Sequence, residues 1–240
     1  MSDLSYMDRN YQEINGRIRE AERRAGRSDV RLVAAVKYTD AEHIDYLHRV
    51  LGVNDVGENR VQQLLSHWET VDREGLNFHF IGTLQTNKVK YIADKVCMIH
   101  SLDSLKLAAE IEKQMAKLGR TMDVLVEINS GAEENKSGVS PVDAAELCLS
   151  LRDFPHVNLR GFMTMAPKCE KNEEYRKFFQ ETFQLGLDIW QKKLHNIGRP
   201  LFSMGMSGNF EIAIEEGADM VRVGRALFAE PIDSDLKFDI

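Results

Sequence analysis

Apolar and polar positions alternate along this chain in two periods. Runs of strand length, rich in Val, Ile, Leu and Phe, recur at 31–37, 53–56, 78–82, 96–100, 122–129, 157–164, 201–206 and 219–224, eight in all. Between them lie segments with apolar residues at helical spacing, over 59–72, 103–118, 140–154 and 173–195. An amphipathic helix is predicted ahead of the first run, over 5–25, and Ser140-Pro141 reads as an N-cap followed by proline at the first helical position. Eight strand–helix units with no Pro/Gly/Ser linker between them predict an α/β protein built as one closed (β/α)₈ barrel of the TIM type, with an extra N-terminal helix and 1–240 as one domain. An open doubly wound sheet usually has fewer strands and a glycine-rich first turn, and no G-x-G-x-x-G follows the first run here. The chain stops soon after the eighth run, so the N-terminal helix is expected to cover the place of a full last helix.

Functional groups of such barrels gather at the C-terminal ends of the strands. The first run, Arg31-Leu-Val-Ala-Ala-Val-Lys37, delivers a lysine to the point where strand turns into helix, since Thr39-Asp-Ala-Glu42 has the pattern of a capping box. Asn59 follows the second run, His79 sits in the third, and Met206-Ser207-Gly208-Asn209 closes the seventh. A helix predicted over 210–216 begins there, so free N–H groups would favour an anion, and Gly224 after the last run offers a second close approach. Taken alone, Ser207 reads equally as a helix cap and Gly224 as a turn residue.

Period-two alternation puts Met220, Arg222 and Gly224 on one face of the last run, with Val221 and Val223 on the other. With the valines against the helices, the arginine points into the barrel, where a permanently charged guanidinium requires acceptors. An internal ion pair with Glu58 or Glu127 would supply them, and so would an acceptor atom on a ligand. Lys37 by itself would be a lysine snorkelling at a strand edge. A ligand with a phosphate at one end, a ring-nitrogen acceptor and an electrophile within reach of Lys37 accounts for all three features. Pyridoxal 5′-phosphate (PLP) is such a ligand: lysine forms a Schiff base with its aldehyde, and desolvation would move the lysine toward the neutral nucleophile.

Composition narrows the remaining classes. A net charge of −7, with no stripe of Lys and Arg, argues against nucleic acid or an anionic membrane as partner. Cys97, Cys148 and Cys169 are widely spaced and form no C-x-x-C pair, which suggests neither a disulfide framework nor a zinc site and fits a reducing cytoplasm. No apolar leader or membrane-length run is present, so a cytoplasmic chain, expected to be monomeric, is the reading.

Ordered motifs also carry a resemblance: Ala34-Ala-Val-Lys37, Gly57-Glu-Asn59, His79-Phe-Ile-Gly82-x-x-Gln85-x-Asn87-Lys88, Asn129 followed by Lys136-x-Gly138, Gly161-Phe-Met163-Thr164-Met-Ala-Pro167, and Ser203-Met-Gly-Met-Ser207. From the first strand to the eighth the chain resembles the pyridoxal phosphate homeostasis proteins, the YggS/PROSC group, whose barrel is similar to the N-terminal domain of alanine racemase. The resemblance implies that Lys37 holds PLP as an aldimine, Arg222 faces the pyridine nitrogen, and Ser207 and Gly224 hold the phosphate. It places Asn59 and Met206 close to the ring and His79 on the barrel lining; Asn87 would otherwise be a helix cap. Two departures stand out. The family usually has two acidic residues after Met206-Ser207, here Gly208-Asn209, and Thr or Ser after Gly224, here Arg225. Arg225 would either contact the phosphate directly or point outward.

Two functions follow from these residues. One is a carrier that stores, buffers or delivers PLP, with PLP-dependent apo-enzymes as partners and without significant racemase turnover. The other is an amino-acid racemase or related fold-type III PLP enzyme. Alanine racemase resembles this barrel plus a β-rich domain that supplies a tyrosine base, and no such domain is expected after residue 240 here. A barrel enzyme for a phosphorylated sugar would leave Lys37 and Arg222 without a purpose.

Overall fold

Eight parallel strands pair in chain order and the last pairs with the first, which closes the sheet into a barrel. The structure, a computed structural model, describes residues 4–37, 39–131, 137–192 and 198–230. Its strands are β1 Arg31–Ala35, β2 Asp55–Glu58, β3 Asn77–Phe80, β4 Met98–Leu102, β5 Met122–Ile128, β6 Val157–Thr164, β7 Leu201–Met206 and β8 Met220–Val223. Around them lie α1 Tyr6–Arg24, α2 Ala41–Arg49, α3 Val61–Thr70, α4 Val89–Ile92, α5 Leu105–Leu118, α6 Ala144–Ser150, α7 Asn172–Gln191, α8 Phe210–Glu215 and α9 Arg225–Phe228. The expected (β/α)₈ architecture and the extra N-terminal helix are both present. Tyr38, Lys136 and the end of the predicted long helix at His195 lie outside the described residues.

Alternation sorts the strand side chains into two layers. Ala34, Val56, Phe80, Val126, Phe202 and Val223 face outward and join the apolar faces of the helices in one buried cluster. Val33, Met98, Leu125, Met163 and Met220 form a second cluster that fills the barrel interior. Each large side chain removed from water in this way stabilises the fold by roughly 1.5–3 kcal/mol.

α1 buries Met7, Ile14, Ile18 and Ala21, a stripe at helical spacing, and packs on α8 and α9. Asn10 donates to the carbonyls of Leu227 and Ala229 at 3.1 and 2.9 Å, and Arg17 donates through Nε and Nη2 to the Glu211 carboxylate at 2.7 and 2.9 Å. The N-terminal helix therefore covers the seam beside the short final helices, as expected.

Element boundaries differ from the sequence reading in ways that matter for the site. β2 starts two residues later than the apolar run suggests, so Gly57 and Glu58 belong to the strand rather than to the loop after it. α2 is capped by Asp40, whose side chain accepts from the His43 backbone N–H at 3.1 Å, and not by Thr39. Ser140 does accept from the Asp143 N–H at 3.2 Å, but Pro141 opens a turn and the helix begins at Ala144. Asn87 lies inside a 3₁₀ turn, Thr86–Lys88, rather than capping α4.

Candidate functional site

β1 ends because its ladder ends. The Val36 N–H still reaches the Gly57 carbonyl at 3.1 Å, and the Thr39 N–H then closes a turn onto the Val36 carbonyl at 3.2 Å. Lys37 stands in that turn, exposed, at the mouth of a cleft of about 310 Å³ that Asn59, Arg60, Ile81, Gly82, Thr83 and Met165 also line. The desolvated strand-end lysine expected from the sequence is thus corrected: the residue lies two positions beyond the last strand residue, in reach of water. Its backbone is nonetheless held. Gln63 of α3 donates to the Lys37 carbonyl, and His67 of α3 donates through Nε2 to the Thr39 carbonyl at 3.1 Å. Gly82 belongs in the wall because a Cβ there would run into the Asn59 carbonyl.

His67 Nδ1 faces Glu58 Oε1, so both imidazole nitrogens meet oxygen acceptors and the pair retains a proton. The Glu58 hydrogen bond pushes the His67 imidazole up from its ordinary value, and burial pushes the Glu58 carboxyl up as well. Glu58 cannot be the internal partner of Arg222: in the observed register it faces α3, not the barrel interior.

Arg222 does point inward and is 4% exposed. Its Nη1 donates to the Ser203 carbonyl at 2.7 Å and to Ser203 Oγ at 2.6 Å, and its Nη2 donates to the Thr164 carbonyl at 2.9 Å. A guanidinium carries five N–H groups. Among the described residues, those three bonds leave one on Nη2 and the one on Nε uncommitted. Burial lowers its pKa to about 10, with Glu127 opposing, so it is charged at neutral pH. Glu127 contributes field rather than a bond: its Oε1 accepts from Ser137 Oγ at 2.7 Å, and burial pushes its carboxyl up.

The loops after β7 and β8 lie side by side, since Met206 is in register with Arg222. Among the described residues, the backbone N–H groups of Ser207, Gly208, Arg225 and Ala226 find no carbonyl acceptor, so four donors are left for an anion. The six-residue α8 is too short to add much dipole. Asn209, one of the two departures from the family pattern, is buried and folds the loop by accepting from the Met206 N–H at 2.8 Å. Gly224 has its own steric reason: a Cβ there would sit 2.7 Å from the Ala35 carbonyl, so β8 could not approach β1. Arg225 opens α9 and is exposed.

The structure thus gathers Lys37 and Asn59 on the cleft, with Met206 and Ser207 on the β7 loop and Gly224 and Arg225 on the β8 loop of the same barrel end. Arg222 lies beneath them in the interior. His79 sits apart: it lines the barrel interior as expected, but at 2% exposed it bonds His100 and Asp55 and is not part of the cleft wall. The sequence reading missed Gln63, His67 and the acceptors of Arg222. A histidine six residues into a helix that starts next to a strand-end glutamate was the available signal for the Glu58 pair.

Comparisons with known proteins bear on the fold and the family. The family model for the N-terminal domain of alanine racemase matches residues 9–231. A pyridoxal phosphate homeostasis protein of Aquifex aeolicus is 43% identical over 216 residues, 89% of this chain and 93% of that protein. One from Escherichia coli K12 is 32% identical over 238 residues, covering 95% and 97%. Among solved structures, PipY of Synechococcus elongatus with PLP bound superposes with a TM-score of 0.76 at 29% identity, over 84% of this chain and 93% of that one. An alanine racemase of Clostridium difficile 630 matches at a TM-score of 0.72 and 17% identity, over 93% of this chain and 58% of the enzyme, which shows a shared barrel fold. The chain belongs to the alanine racemase N-terminal domain family and, within it, to the group of the pyridoxal phosphate homeostasis proteins.

Proposed function

We propose that this protein binds PLP through a Schiff base to Lys37 and serves intracellular PLP homeostasis, by storage, buffering or delivery of the cofactor to apo-enzymes. The observation that carries the reading is the pairing of Lys37, at the open end of β1, with Arg222, buried on the neighbouring β8 and holding two uncommitted N–H groups. The four unpaired amides of the β7 and β8 loops suit the phosphate, and the two spare donors of Arg222 suit a pyridine nitrogen acceptor. When bound, PLP would supply an electrophilic aldehyde for the Lys37 amine. The chain's own residues supply orientation. Gln63 and His67 fix the loop that carries Lys37, and Arg222, which keeps its proton, leaves the ring nitrogen as an acceptor and the ring a weak electron sink.

Racemisation requires acid–base groups on both faces of the substrate α-carbon. Tyr6 and Tyr11 lie on α1, and Tyr46, Tyr91 and Tyr175 lie on α2, α4 and α7, all on the outer layer. Lys37 could serve one face, and among the described residues no tyrosine is offered for the other; Tyr38 lies outside them, and as the residue after Lys37 its side chain is expected to diverge from the lysine, which supports a carrier over a racemase. The test incubates PLP-loaded protein with L-alanine and follows D-alanine by chiral chromatography, with Lys37→Ala as control. Turnover is expected at the level of that control. A Lys37-dependent rate in the usual enzyme range of roughly 1–10³ s⁻¹ would favour the racemase.

A further inference from the structure

Beneath the cleft, five side chains from five strands form one continuous hydrogen-bonded row through the barrel. Asp55 Oδ1 at the start of β2 lies 2.8 Å from His79 Nε2, and His79 Nδ1 lies 2.9 Å from His100 Nε2. His100 Nδ1 lies 3.0 Å from Ser203 Oγ, which is 2.6 Å from Arg222 Nη1. His79, His100 and Ser203 are 2%, 0% and 0% exposed, while the Asp55 side chain, at 19%, reaches the solvent at the far end.

Hydrogen counting orients the whole row. Arg222 only donates, so Ser203 Oγ accepts from it. The buried Ser203 hydroxyl then needs an acceptor for its own proton, and His100 Nδ1 is the one in reach. His100 is therefore protonated on Nε2 and donates to His79 Nδ1, which leaves His79 protonated on Nε2 and donating to the Asp55 carboxylate. Cys97 Sγ, 3.5 Å from the same nitrogen, is a weaker neighbour. The reverse orientation, with His79 charged, would aim His100 Nδ1–H and Arg222 Nη1–H together at Oγ and strand the hydroxyl proton. Burial, reinforced by the nearby Arg222 charge, also holds His100 well below the usual imidazole range, which keeps it neutral.

We infer that His79 and His100 are positioning residues for Arg222: anchored by Asp55, they fix one tautomer along the row, turn the Ser203 lone pair toward the guanidinium, and so hold Arg222 with its two spare N–H groups ready for a ligand. The role in ligand binding rests on the proposed PLP site. The orientation of the row does not.

The test is ¹⁵N NMR of ligand-free protein, reading histidine tautomers and the exchange of the Arg222 guanidinium protons. Both His79 and His100 are expected as Nε2–H tautomers. His100→Leu is expected to speed Arg222 exchange about two- to tenfold, the weight of one internal hydrogen bond, and His100→Asn, whose Oδ1 can replace Nδ1 as acceptor, to restore most of the protection. Asp55→Asn, at the solvent end, is the second variant should the leucine variant not fold; it is expected to mix the His79 tautomers. The same variants are titrated with the PLP analogue that carries a methyl group in place of the aldehyde, so that Schiff-base formation plays no part, and weakening of about two- to tenfold is expected. An Nδ1–H tautomer at His100, Arg222 exchange unchanged in folded His100→Leu, or unmixed His79 tautomers in Asp55→Asn would overturn the inference. Wild-type protein that binds neither PLP nor the analogue would overturn the cofactor reading, and the tautomer measurement would still decide the row.

Discussion

Ser207 and Arg225 sit on adjacent loops but are expected to matter very differently. Ser207 is partly buried beside amides that find no carbonyl acceptor among the described residues, and in the proposed site its hydroxyl would donate to the phosphate; Arg225 is exposed at the start of α9. Ser207→Ala should weaken PLP binding by about 1.5–3 kcal/mol, the worth of one hydrogen bond to a charged group. Arg225→Thr should leave it within about tenfold, or ~1.4 kcal/mol. Titration of PLP absorbance or fluorescence measures both, and a loss well beyond tenfold for Arg225→Thr would show that the arginine had become a phosphate ligand. At this scale the inward direction of Arg222 was legible from alternation alone. Its acceptors were not, because two of the three are backbone carbonyls, those of Ser203 and Thr164, which no side-chain pattern encodes. The carboxylates that the sequence offered in their place, Glu58 and Glu127, are engaged by His67 and Ser137.

The loop from β1 to α2 depends on α3, the next helix along the chain. Gln63 and His67 hold the carbonyls of Lys37 and Thr39, and His67 is itself held by Glu58. Both members of that buried pair have folded pKa values raised above the ordinary ones, His67 from 6.5 and Glu58 from 4.5. The native state therefore binds more protons here than the unfolded chain, and the pair's contribution is full at low pH and falls as pH rises through the raised values. Against a Glu58→Gln/His67→Gln double variant, which takes up no proton at this place, the stability advantage of the native protein in urea should be larger at about pH 6 than at about pH 8. An advantage that stays flat or grows with pH would contradict the assignment. All eight strands were legible as elements, but β2 was read too early. Val53, which is buried, drew the reading forward, since periodicity reports burial and not which residues pair in the ladder.

Closure of the sheet in chain order, with α1 sealing the side left by the short α8 and α9, brings β1 and β8 together, and with them Lys37 and Arg222. They are far apart in the sequence and are carried by neighbouring strands only because the barrel closes, which is why their joint meaning required a fold before it required chemistry. The count of strand–helix units made that fold legible. The row from Asp55 to Arg222 was not, although His79, Ser203 and Arg222 stood in the motifs already read, because its order across β2, β3, β4, β7 and β8 depends on strand tilt and register. No helix of the described residues is long and apolar enough to cross a membrane. The most direct test of the whole account is borohydride reduction of PLP-loaded protein followed by peptide mass analysis. The account predicts the pyridoxyl adduct on Lys37 and its loss in Lys37→Ala. A principal adduct on Lys88 or Lys136, with Lys37 unmodified, would contradict it.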